Sequence, residues 1–126
     1  MDRVKILVMD DDKDIRITAC RILERMGCEV EPAGDGAEAI KLYKQARDSK
    51  NPFGIVIMDL AVPNGMGGKE AVKELIEIDP AAKVIVSSGN LDDSAMTDPG
   101  KYGFKTALAK PYTIEELSEA LRKAAI

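Results

Sequence analysis

Apolar residues follow two rhythms along the chain. Short, nearly unbroken runs at 4–9, 53–58 and 84–86, with a fourth at 106–109, have the continuity of strands buried on both faces. A fifth run, 28–33, alternates apolar and charged positions and contains Pro32, which cannot donate to a ladder, so it predicts an edge strand. Between the runs the spacing changes to that of amphipathic helices. Ile15, Ala19, Ile22, Leu23 and Met26 form one stripe, Val72, Leu75 and Ile76 a second, and Ile114, Leu117, Leu121 and Ala124 a third.

Start and stop signals agree with these helices. Asp35 with Glu38, and Thr113 with Glu116, are spaced as capping boxes, and Gly27 stands where a helix C-terminus wants glycine. Residues 37 to about 50 complete the clear helices, whereas Pro99-Gly100 interrupts the segment 92–102 and leaves room for a short helix at most. Strand and helix thus alternate five times. That order implies parallel strands, right-handed crossovers and helices on both faces: a doubly wound α/β sandwich of three layers. With 28–33 at the edge, the strand order is 2-1-3-4-5, and a ligand belongs beyond the strands' carboxyl ends, where the order reverses.

Composition narrows the class. A chain of 126 residues, 45% hydrophobic, suits a single soluble domain spanning 1–126. The net charge of −4 and the absence of a Lys/Arg stripe argue against direct binding of nucleic acid. No apolar run is long enough to insert into a membrane, and no signal-peptide pattern opens the chain, so the cytoplasm is the expected compartment. Cys20 and Cys28 are too far apart for a C-x-x-C motif and sit among apolar residues, which predicts buried free thiols. With zero histidines, any imidazole chemistry must come from a partner.

The strand ends carry the chemistry. The first strand runs into Asp10-Asp11, the third into Asp59, the fourth into Ser87-Ser88 and the fifth into Lys110. Each has an ordinary reading: Asp10 as a helix cap, Ser88 as a turn hydroxyl, Lys110 as a surface lysine. Asp12 and Asp14, in the first helical turn, suit the helix dipole. Their convergence in one pocket is harder to dismiss. Three carboxylates together need either a proton or a cation, and oxygen ligands without imidazole or thiolate suit Mg²⁺.

Four segments, "ILVMDDD", "IVIMDLAVPNGMGG", "VIVSSGN" and "ALAKPY", resemble in order and spacing the acidic-pair, phosphoacceptor, switch-hydroxyl and lysine-proline motifs of response regulator receiver domains. The resemblance runs from Lys5 to Ala124 and implies a flavodoxin-like fold and a phosphoacceptor role in two-component signalling. By that resemblance Asp59 is the residue phosphorylated, from the phosphohistidine of a histidine kinase or a histidine phosphotransfer protein. Asp10, Asp11, Asp59 and the backbone carbonyl of Ala61 hold Mg²⁺ or Mn²⁺, Asp10 mostly through water. Ser88 and Lys110 contact phosphoryl oxygens, Ala61 and Asn90 flank the path of hydrolytic water, and a phosphorylation-dependent homodimer is among the implied states. The wording is most similar to receivers of hybrid sensor histidine kinases, which makes the cytoplasmic tail of a membrane sensor an alternative location. Ala107 departs from the pattern, because the family usually has an aromatic residue there to couple to the switch hydroxyl.

Two other classes compete. Asp10-x-Asp12 after an apolar strand resembles the opening of haloacid dehalogenase-like phosphatases, with Asp10 as nucleophile, but Asp14 stands where that motif wants Thr or Val. "NGMGGKE" superficially resembles a P-loop, yet Pro63 replaces its first glycine and Glu70 its hydroxyl residue.

Overall fold

The computed structural model describes residues 3–125. Five strands, β1 (Lys5–Met9), β2 (Glu29–Ala33), β3 (Ile55–Asp59), β4 (Val84–Ser88) and β5 (Thr106–Ala109), form one parallel sheet in the order β2-β1-β3-β4-β5. Helices α1 (Lys13–Arg25), α2 (Gly36–Arg47), α3 (Gly68–Ile78), α4 (Ser94–Thr97) and α5 (Ile114–Ala125) connect and flank them. The expected doubly wound topology is therefore present, with Pro32 on the outer strand.

Alternation along the strands divides the core in two. Leu7, Met9, Val56, Met58, Val84 and Val86 point to the side covered by α2, α3 and α4, where they meet Ala39, Ile40, Tyr43, Val72, Leu75 and Ala95. Ile6, Val8, Ile55, Ile57, Ile85 and Leu108 point the other way, against Ala19 and Leu23 of α1 and Leu117, Ala120 and Ala124 of α5. Burial on both faces explains why these strands read as continuous apolar runs.

The helix signals act as expected, with two differences. Thr113 and Glu116 exchange side-chain and backbone bonds in a full capping box. Asp35 accepts from the Glu38 N–H, but Glu38 returns its bond to the N–H of Gly34 rather than Asp35. Gly27 takes the left-handed conformation, φ 92°, just past α1. The second difference is exposure: Ile15, Met26 and Ile114 of the predicted stripes are 36%, 38% and 56% exposed. Those stripes are wider than the sheet surface that the helices cover. Between 92 and 102 lies only the four-residue α4 and a 3-10 turn, Pro99–Tyr102, ending at Gly103 with φ 101°.

The strand ends are held by hydrogen bonds that continue the ladders. The N–H of Asp10 reaches the Ala33 carbonyl at 3.0 Å, that of Leu60 the Ser87 carbonyl at 2.9 Å, and that of Lys110 the Ser88 carbonyl at 2.9 Å. Strand 4 runs two residues further than its apolar stretch because Ser87 and Ser88 take part in these bonds. The start of α3 packs closely under the segment after Asp59: a Cβ on Gly67 would stand 2.6 Å from the Leu60 carbonyl oxygen, and that contact is with backbone. Gly67→Ala should therefore cost about 1–3 kcal/mol, as overpacking does. The check is a lower urea midpoint at unchanged m-value.

Candidate phosphoryl and metal site

Residues distant in sequence meet where β1, β3, β4 and β5 end. Asp10 and Asp59 are 4% and 6% exposed, and Asp11 beside them is open to solvent. Oxygens of Asp10, Asp11 and Asp59 all lie within 4.8 Å of one another. Lys110 enters the cluster from β5, its Nζ 2.6 Å from Asp10 Oδ2 and 3.2 Å from Asp59 Oδ1. The bond between Lys110 and Pro111 is cis.

The acidic run after β1 splits as its neighbours dictate. Asp12, not Asp10, caps α1, accepting from the N–H groups of Asp14 and Ile15. Asp10 turns inward; its Oδ1 takes the Asp12 N–H at 2.9 Å and its Oδ2 the ammonium, while Arg16 donates to its carbonyl oxygen at 2.6 Å. Asp14 stays in the first helical turn. Asp10 therefore has both carboxylate oxygens occupied, a poor arrangement for the phosphatase nucleophile considered above.

Burial lifts the Asp59 carboxyl from the ordinary acid range to about 7, helped by a hydrogen bond with Asp11 and the charge of Asp10, and opposed by Lys110. Burial works against the charge on Lys110, but its bonds to Asp10 and Asp59 outweigh this and raise its pKa. One ammonium thus faces three carboxylates, and a proton on Asp59 makes up part of the deficit. The donor set is all oxygen, close enough to share one ion, and short of positive charge. It fits a hard divalent cation such as Mg²⁺, which would take the place of that proton.

Ser88, Asn90 and Ala61 stand at or just past the same strand ends. Ser88 is buried, but its Oγ accepts from the Asn90 N–H at 3.0 Å, so its hydroxyl is engaged with its own loop. Alternation sets Ser88 on the side of Val84 and Val86, opposite to that of Asp59. Asn90 is exposed and its Oδ1 accepts from the Asp92 N–H. Ala61 is exposed two residues past Asp59, and among the described residues its carbonyl takes no hydrogen bond. Ala107 is partly buried and packs on the same cluster as Tyr102. Cys20 and Cys28 are free, Cys20 partly and Cys28 fully buried, and burial raises both thiol pKa values.

Two features were missed by sequence reasoning. One is Ser87, grouped there with Ser88 although the two face opposite ways; counting strand parity would have separated them. The other is an apolar groove of about 540 Å³ beside Lys110, lined by Ile15, Thr18 and Ile22 of α1 with Gly89, Pro111 and Tyr112. The wide stripe on α1 was its signal.

Comparison with known proteins agrees with this arrangement. The family profile described as response regulator receiver domain matches residues 6–122. The chain is 34% identical over 120 residues to the chemotaxis protein CheY of Thermotoga maritima, covering 94% of this chain and 95% of that protein. It is 31% identical to part of transcription factor SKN7 of Chaetomium thermophilum, where it covers 94% of its own length but spans only 15% of that relative. Among solved structures, a response regulator receiver domain protein from Clostridium thermocellum superposes with a TM-score of 0.86 at 30% identity, covering 97% and 94% of the two chains.

The raised Asp59 gives a pH signature. Its folded pKa lies above the unfolded carboxylate value, so its contribution to stability is full below about pH 4 and is lost as pH rises through about 7. Without divalent cation, the stability of the wild type relative to Asp59→Asn should fall between pH 4 and 7.5. Denaturation midpoints of the two proteins at stepped pH check the sign.

Proposed function

The chain belongs to the response regulator receiver domain family, and on that premise we propose that Asp59 is the residue that accepts a phosphoryl group in two-component signalling. The observation that carries the assignment is the meeting of Asp10, Asp11 and Asp59 with the Lys110 ammonium at the ends of the parallel strands. Receiver domains of this kind act as signalling phosphoacceptors, bind Mg²⁺ at an acidic site and interact with histidine kinases or phosphotransfer proteins.

The reaction we assign is an in-line displacement. An ionised Asp59 oxygen forms a bond to phosphorus as the bond from phosphorus to the donor imidazole breaks, and the imidazole departs with the electron pair. Asp10, Asp11, Asp59 and the Ala61 carbonyl would hold Mg²⁺ or Mn²⁺, which when bound neutralises the carboxylates and the charge on the transferring oxygens. Lys110 must leave the carboxylates to reach a phosphoryl oxygen. Ser88, expected to make the phosphoryl contact, is held by the Asn90 N–H on the side of β4 away from Asp59. That contact falls instead to Ser87, the register partner of Asp59 on the same side of the sheet. Ala61 and Asn90, both exposed beside the pocket, are placed in this reading to influence the attacking water in hydrolysis. The haloacid dehalogenase reading finds no support in the comparisons.

The donor is a histidine kinase or a histidine phosphotransfer protein, and we assign its docking to the apolar groove of α1, Pro111 and Tyr112. A donor helix carrying the phosphohistidine could seat apolar side chains there with the imidazole directed at Asp59. Free thiols and Mg²⁺-dependent phosphoryl transfer suit the cytoplasm, whether as a separate protein or as part of a sensor kinase. A homodimer formed on phosphorylation is a further state of this reading. Among the described residues, no helix is long and apolar enough to cross a membrane.

Two outcomes are expected. With Mg²⁺ and acetyl phosphate, the modified carboxylate should map to Asp59 by peptide mass analysis and vanish in Asp59→Asn; modification of Asp10 would overturn the assignment. Ile15→Glu should slow phosphorylation by a protein donor roughly tenfold, as loss of about 1.4 kcal/mol of contact does, and leave labelling by acetyl phosphate unchanged. Equal slowing with both donors would remove the groove from the reading.

A further inference from the structure

The acidic site has a cation close by that pairs with none of its carboxylates. Arg16, in the first turn and a half of α1, sends its Nη1 to the main-chain carbonyl of Asp10 at 2.6 Å. The start of a helix carries a partial positive charge of its own, so a guanidinium there is electrostatically out of place. Among the described residues Arg16 forms no ion pair, although Asp12 and Asp14 lie within one turn of it.

Geometry explains the choice of a carbonyl. The N–H of Asp10 continues the ladder onto Ala33, but among the described residues no backbone N–H reaches the Asp10 carbonyl. After Ala33 the chain turns toward the loop that follows β3, where the Gly36 N–H bonds the Met66 carbonyl at 2.8 Å. Asp10 is buried, and its carbonyl needs another donor. Side chains of a helix point back toward its start, which directs Arg16 over the cap Asp12 to that oxygen. A Cβ placed on Gly34 would stand 3.8 Å from Arg16 Nη1 and 3.7 Å from Glu38 Oε1. The guanidinium thus sits between the end of β1 and the loop after β2.

The carbonyl it holds has a second importance. Between the side chains of Asp10 and Asp11 lies a single peptide plane, and the Asp10 carbonyl belongs to it. Because that plane is rigid, the direction of the carbonyl also sets the Asp11 N–H and Cα. Asp11 stands open to solvent, yet its carboxylate turns back to within 4.8 Å of those of Asp10 and Asp59.

We propose that Arg16 is a positioning residue for the divalent cation, its bond to the Asp10 carbonyl fixing the peptide plane that makes the Asp10 and Asp11 carboxylates converge with Asp59. The proposal deepens the phosphoacceptor reading and rests on its cation site. Arg16 touches neither carboxylate oxygens nor the transferred group, and its charge taken alone would repel Mg²⁺. Position and charge therefore act with opposite signs, and the sign of a substitution tells them apart.

Calorimetric titration of the full chain with Mg²⁺ reads that sign. Arg16→Met should bind Mg²⁺ about tenfold more weakly than the wild type, the lower end of what losing a group that orients a metal ligand costs. Arg16→Lys keeps a cationic donor and should bind Mg²⁺ more tightly than Arg16→Met, despite the repelling charge. The Mg²⁺ concentration for half-maximal labelling of Asp59 by acetyl phosphate should rise in Arg16→Met by the same factor. Charge alone predicts the reverse order of the two variants; that order, or equal affinity of Arg16→Met and the wild type, overturns the proposal. If Arg16→Met does not fold, Arg16→Gln takes its place, a neutral side chain two bonds short of the carbonyl, with the same loss expected and equal affinity overturning. A wild type that takes up no Mg²⁺ overturns the cation site and this inference together. A wild type labelled at Asp59 in Mg²⁺, with variants that bind the ion equally well, overturns this inference alone.

Discussion

The grip of the Lys110 ammonium on Asp10 and Asp59 is the interaction on which the rest of the molecule turns. Two buried carboxylates side by side, with a third at the rim, would oppose folding if nothing met their charge. Lys110 meets part of it, and the raised Asp59 meets more by holding a proton near neutrality. The resting site is thus only partly neutralised, and by groups that a cation and a phosphoryl group can displace. For this grip to exist, β1, β3 and β5 must end at one level. The parallel ladder and its extra bonds at Asp10, Leu60 and Lys110 enforce that level.

Much of this was legible in the sequence because the physics is local or strongly periodic. The runs around Ile57 and Ile85 are continuous since both sheet faces are buried, Pro32 marks the edge since it lacks an N–H, and Thr113 with Glu116 announces α5 by a capping pair three positions apart. The acidic pair, Asp59 and Lys110 could be named because each closes a strand. What stayed hidden depends on how elements sit against one another. Ile15 and Ile114 have helical spacing toward the core, yet α1 and α5 leave them outside, and one of them lines a groove. Ser87 and Ser88 are adjacent letters whose side chains part company only once β4 has a register.

On the far side of the site, polar contacts add to the packing of Ala95 and Phe104 in the core. Lys69 at the start of α3 pairs with Asp93 at 3.0 Å, while its Nζ lies 5.3 Å from the centre of the Tyr102 ring. Asp93 also caps α4, and Ser94 meets the Tyr102 hydroxyl. These bonds lie directly after the loop of Ser88 and Asn90. Tyr102 thus supplies an aromatic ring on this side of the molecule, where position 107 has alanine.

The brevity of α4 has a mechanical consequence. Four residues close too few helical hydrogen bonds to hold a turn on their own, so the segment borrows its shape from Asp93, Lys69 and Tyr102. A long helix in this place would answer a distant push as a lever, swinging whole. This one behaves as a clasp: it holds while three small contacts agree, and when one lets go the segment can change form rather than merely direction.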